Sequence, residues 1–68
     1  MSKLYQDIKN AVKNGKLKEP FRTKNVKTAC SRWSLIVIAV FLPKHRKNNP
    51  GGYIEYFWQI GRGLYKLL

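Results

Sequence analysis

Acidic residues are scarce in this chain. Asp7, Glu19 and Glu55 stand against fourteen lysines and arginines, giving a formal net charge of +11. The bases run from Lys3 to Lys66 rather than gathering in a tail. A surface so short of carboxylates attracts polyanions, nucleic acid first and an acidic membrane surface second. Cysteine is almost missing as well. A lone Cys30 excludes an internal disulfide and is compatible with a reducing cytosol. With His45 as the single histidine, the four ligands of a structural zinc site are not there. No metal and no cofactor are expected.

Long apolar runs are also lacking. The longest, Trp33 to Leu42, falls well short of the roughly 20 residues that span a bilayer. The first residues, Met1-Ser-Lys-Leu-Tyr-Gln-Asp7, contain no apolar stretch of the kind that opens a signal peptide. The expectation is a soluble, cytoplasmic protein with no membrane partner. Catalytic constellations are absent too: no nucleophile–base pair, no phosphate-binding glycine loop and no metal cluster. Neither enzymatic activity nor a small-molecule substrate is expected. At 68 residues the chain makes one domain, 1–68, able to bury only roughly 60% of its unfolded surface. Most large apolar side chains are then committed to the fold.

What is present is concentrated at the C-terminal end. Two aromatic and aliphatic runs flank Gly61-Arg62-Gly63 within Phe57 to Leu68. Such residues suit a pleated, half-buried surface, and glycines supply the positive φ angles of a tight reversal. This reads as a β-hairpin with an arginine at its tip, strands over Tyr53–Ile60 and Leu64–Leu68. A cation displayed there, on so basic a chain, points to a phosphate backbone.

Upstream, Ser2 is a good N-cap for a first helix from Lys3 to about Asn14. Leu4, Ile8, Ala11 and Val12 fall on one face, and Gly15 is available as a left-handed C-cap. Lys16 to Pro20 reads as a polar connector. Phe21 then starts a short extended piece whose ring plugs the core. Thr23 is expected to cap a second helix running through about Cys30, with Val26, Ala29 and Cys30 inward and Lys24 and Lys27 outward. Free N–H groups and lysines at its start suit a phosphate. Ser31 to Leu42 is ambiguous: β-branched Ile36, Val37, Ile38 and Val40 suit a buried strand. A helix would be capped by Ser31 or Ser34 and stopped near Pro43, with Leu35, Ile38, Phe41 and Leu42 inward. A basic loop follows, Lys44 to Gly52, with turn-forming Asn48, Asn49, Pro50 and Gly51.

The order helix, extended piece, helix, helix or strand, basic loop and hairpin resembles a winged helix-turn-helix. Pro20-Phe21-Arg22-Thr23-Lys-Asn-Val26 looks like the start of helix two in a group of small prokaryotic winged-helix domains. Leu42-Pro-Lys-His-Arg-Lys-Asn-Asn-Pro50 looks like the end of their third helix and the loop beyond it. Phe57-Trp-Gln-Ile-Gly-Arg-Gly-Leu-Tyr-Lys-Leu67 is similar to their last strand–turn–strand, in which Gly-Arg-Gly-x-Tyr recurs. The resemblance implies an α+β fold, three helices packed on a C-terminal β-hairpin, and favours a helix over Ser34–Leu42. It further implies double-stranded DNA as partner and a role in transcription regulation. In that fold the third helix enters the major groove and the wing rests on the neighbouring backbone.

Candidate contacts are Arg62 at the wing, Lys44, Arg46 and Lys47 after helix three, Arg22, Lys24 and Lys27 at helix two, and Arg32 and Ser34 at the start of helix three. The chain departs from the family pattern in two places. The outward face of helix three carries Ile36, Val37, Ala39 and Val40, which can touch thymine methyls but cannot hydrogen-bond purine edges. Gln59 stands where a base is common. His45 is expected to be a satisfied boundary histidine, and Trp33 and Trp58 to be packing residues. Two other classes of function fit the sequence. The apolar face of helix three suits a homodimer or protein-partner interface. Trp33, Trp58 and the tyrosines suit RNA or single-strand binding.

Overall fold

The computed structural model describes residues 2–68. Helix α1 spans Lys3–Lys13, and the Ser2 hydroxyl accepts from the Tyr5 N–H at 3.3 Å. Leu4, Ile8 and Ala11 are its buried face, as their spacing requires. The helix closes one residue before the expected end, with Asn14 as C-cap and Gly15 at φ 76 beyond it. The chain then doubles back: the N–H groups of Lys16 and Leu17 both donate to the Ala11 carbonyl, at 2.9 and 3.1 Å. That reversal buries Leu17, so the connector is not wholly polar.

Phe21 forms the short extended piece expected of it. Its N–H donates to the Tyr65 carbonyl at 2.7 Å, the Tyr65 N–H returns the bond at 2.9 Å, and its ring is fully buried. Helix α2 spans Thr23–Ala29. Arg22, not Thr23, is its N-cap, because the Asn25 side chain reaches back to accept from the Arg22 N–H at 2.9 Å. Cys30 is the C-cap rather than a helical residue.

Helix α3 spans Leu35–Lys44, which resolves the ambiguity of this segment in favour of helix. Ser34 is the cap, its hydroxyl accepting from the Val37 N–H at 3.1 Å. The helix stops near Pro43 as expected, one residue beyond it. Pro43 sits inside the last turn, which still closes through the His45 N–H on the Phe41 carbonyl at 3.1 Å. Ile38 and Leu42 are fully buried and Phe41 is half-buried, but Leu35, expected inward, is exposed.

Strands β1, Phe57–Gly61, and β2, Leu64–Leu67, form an antiparallel hairpin. Phe57 faces Leu67, Trp58 faces Lys66, Gln59 faces Tyr65 and Gly61 faces Leu64, with an irregularity between Gln59 and Gly61. β1 is shorter than expected because Tyr53–Tyr56 belongs to the loop after α3. The His45 carbonyl accepts from both the Tyr56 and Phe57 N–H groups, at 2.8 and 3.2 Å. Tyr53 and Ile54 are left exposed. Single-residue bridges extend the hairpin on both sides, Arg46 onto Phe57 and Phe21 onto Tyr65.

The core lies where the three helices meet the hairpin. Phe21 meets Phe57 edge to face at 6.2 Å, and Tyr5 stacks on Tyr56 at 3.8 Å. Full burial of each such large side chain contributes about 1.5–3 kcal/mol. Three helices followed by an antiparallel hairpin make an α+β fold, an arrangement consistent with a winged helix-turn-helix. No helix among the described residues is long and apolar enough to cross a membrane.

Candidate nucleic-acid interface

The three carboxylates are all used inside the fold. Asp7 of α1 accepts from the Trp33 indole N–H at 2.7 Å and the Arg32 Nε–H at 2.8 Å. The Trp33 bond first, then the Arg32 guanidinium, hold this carboxyl below the usual carboxylate range. Glu19 accepts from the Leu67 N–H at 2.6 Å and ties the end of β2 to the connector. Glu55 accepts from the N–H of Asn48 at 2.8 Å, steadying a residue at φ 67. Among the described residues the one salt bridge is Asp7–Arg32. The positive field of the remaining cations is thus left almost uncompensated.

Arg22 and Arg62 are brought together. The Arg22 guanidinium donates to the Arg62 carbonyl at 3.3 Å, linking the start of α2 to the hairpin tip. The Arg62 guanidinium is exposed. One glycine makes the turn: Gly63 has φ 66, whereas a Cβ on Gly61 would meet only Leu64, at 3.7 Å. Lys24 is exposed in the first turn of α2.

Lys44, Arg46 and Lys47 form a second group, each beside an aromatic ring or the backbone. The Lys44 ammonium lies 4.6 Å over Tyr53 and that of Lys47 lies 4.5 Å over Trp58. Arg46 is half-buried, its guanidinium on the Lys47 carbonyl at 3.4 Å. Asn49 shapes this loop, donating to the Pro43 carbonyl and accepting from the Gly51 N–H, at 2.8 and 2.7 Å.

Three of the expected site residues are occupied locally. Lys27 does not project outward; its ammonium donates to the carbonyls of Ser31 and Trp33 at 2.9 and 2.8 Å, clamping the turn between α2 and α3. Arg32 is paired with Asp7, and the Ser34 hydroxyl caps α3. Sequence reasoning missed Lys66, which sits across from Trp58 on the hairpin. Strand alternation would have found it, had the pairing register been known.

The outer face of α3 is apolar and open. Leu35, Ile36, Val37, Ala39 and Val40 are exposed, Ile36 by 77%. His45 is a boundary residue: its ring lies 4.5 Å from Phe41 and 4.9 Å from Tyr56, with Nδ1 2.8 Å from the Ile54 carbonyl oxygen. Cys30 is buried, which pushes its thiol up. No cluster of His, Cys, Asp and Glu able to hold a metal occurs among the described residues. No protein-family model, curated protein or solved structure matches this chain.

Proposed function

We propose that this chain is a duplex-DNA-binding module that grips phosphates rather than reading bases through α3. The observation that carries the proposal is the pairing of Arg22 with the exposed Arg62 tip on a surface whose three carboxylates are all engaged elsewhere. Arg62 acts as a short wing, Arg22 and Lys24 hold the backbone beside it, and Lys44, Arg46 and Lys47 take a further stretch of phosphates. Lys27, Arg32 and Ser34 contribute less, being bound within the fold. With its donor-free outer face, α3 contributes apolar contact to thymine methyls and little discrimination between base pairs. A role in transcription regulation in a prokaryotic cytoplasm accords with this mode and rests on the resemblance of its motifs.

The test is the salt dependence of binding to a short duplex. If about 6–8 cations engage phosphates, log affinity falls against log salt with a slope near −5 to −7. A flat dependence overturns the proposal.

The exposed row from Leu35 to Val40 supports a second reading, a homodimer or protein-partner surface on α3. Added salt screens the +11 charge and so strengthens self-association while it weakens DNA binding. Sedimentation of a strict monomer at high salt eliminates the homodimer.

A further inference from the structure

We propose that the outer face of the hairpin is a second nucleic-acid site, in which an unpaired base of a single strand stacks on Trp58 while Lys47 and Lys66 hold the flanking phosphates. The inference rests on the nucleic-acid reading above and shares Lys47 with it, but concerns a different state of the ligand and a ring that the duplex reading does not use.

Trp58 is 40% exposed although it lies in a strand of a very small protein. Its indole N–H has no partner among the described residues, whereas that of Trp33 is bound to Asp7. Lys66 lies directly across the hairpin, so its side chain shares the face of the Trp58 ring. On the other flank, the Lys47 backbone is hydrogen-bonded to Phe57 at 2.7 Å and its ammonium lies over the ring at 4.5 Å. The result is a row of cation, indole and cation across neighbouring strands, which at about 4.8 Å per strand spans roughly 10 Å. An open groove beside it is lined by Arg46, Lys47, Asn48, Trp58, Gln59 and Ile60. Asn48, with an amide able to donate and accept, also lines that groove.

Charge and aromatic face together define the ligand. A ring face is sequence-tolerant for bases, and flanking ammonium groups fit a phosphodiester chain. Bases inside a duplex are stacked on one another, so away from a helix end an unpaired base is needed to lie on the indole. On binding, the base takes the ring face that Lys47 covers, and the flexible lysine stem carries its ammonium to a phosphate.

The experiment is an NMR and fluorescence titration of the whole chain with oligo-dT, oligo-rU and a blunt duplex of equal length. The Trp58 indole N–H signal, assigned by its loss in Trp58→Leu, is expected to shift further with at least one single strand than with the duplex. Trp58→Leu weakens that single strand by roughly 5–150-fold, the effect of losing one stacked base. Trp58→Phe retains most of the affinity, and duplex binding by either variant changes by less than about 2-fold. If both single strands bind Trp58→Leu as tightly as the parent, or saturate the protein with the Trp58 indole unmoved, the proposal fails. Weakened duplex binding in Arg62→Ala, with single-strand binding intact, separates the two modes. Absence of binding to any of the three nucleic acids overturns the nucleic-acid reading itself. The indole shift is read on the parent protein, so it decides the matter even where a Trp58 variant folds poorly.

Discussion

Arg32-Trp33 and Lys47-Trp58 are the same chemistry in two places, a cation resting on an indole face, at 5.2 and 4.5 Å. Their fates differ because of one carboxylate. Asp7 arrives from α1, takes the Trp33 N–H and neutralises Arg32, and the pair becomes a clasp between α1 and the start of α3. No acid reaches Trp58, which stays exposed with its cations unneutralised among the described residues. Of the three acids only Asp7 ties a cation into the fold by an ion pair; Glu19 and Glu55 accept from backbone N–H groups instead.

Removing the tryptophans separates the two sites most strongly. Trp33 packs against the core and Trp58 does not, so Trp33→Ala is expected to cost about 2–3 kcal/mol in urea unfolding. Trp58→Ala costs less than about 1 kcal/mol. Equal losses contradict the division of roles. Next in size is the turn that presents the hairpin face. Gly63→Ala forces an L residue into the left-handed region and costs about 1–2 kcal/mol, whereas Gly61→Ala stays within about 0.5 kcal/mol. The same unfolding series checks both.

Asp7→Asn comes third, at about 1 kcal/mol near neutral pH. The folded carboxyl is held below its unfolded value, so its contribution is full above about pH 4 and fades as pH falls through the lower, folded value. Unfolding midpoints of the parent and Asp7→Asn therefore converge on acidification; a gap that persists at low pH contradicts the assignment. The smallest effect belongs to Lys47→Ala, within about 0.5 kcal/mol of the parent in stability, since this lysine serves the surface rather than the clasp.

Local pattern carried the elements whose boundaries depend on local rules. The period of Leu4, Ile8 and Ala11 marked α1, and Ser2 and Gly15 marked its ends. Phe21 was legible as a core plug. The α3 segment was not, because β-branched side chains suit both a buried strand and a buried helix; the Ser34 hydroxyl on the Val37 N–H made the difference. The start of β1 was misplaced because the Tyr56 and Phe57 N–H groups are claimed by His45, a loop residue that no strand alternation reveals. At the candidate interface, the identities of the cations were legible but their partners were not. Lys27 on two carbonyls and Asp7 on Arg32 and Trp33 are set by how the α2–α3 turn meets its surroundings. That meeting has no signature in residue spacing. Nor did spacing show that Lys66 would stand opposite Trp58.

That the cations of the hairpin tip, the start of α2 and the loop after α3 bind duplex phosphates, while Arg32, paired with Asp7, does not, is checked by the salt slope of duplex binding in single-cation variants. The parent slope lies near −5 to −7; Arg62→Ala makes it shallower by about 0.9, the loss of one phosphate contact, and Arg32→Ala leaves it unchanged. A flat parent slope, or an Arg32→Ala variant that loses as much as Arg62→Ala, contradicts the account.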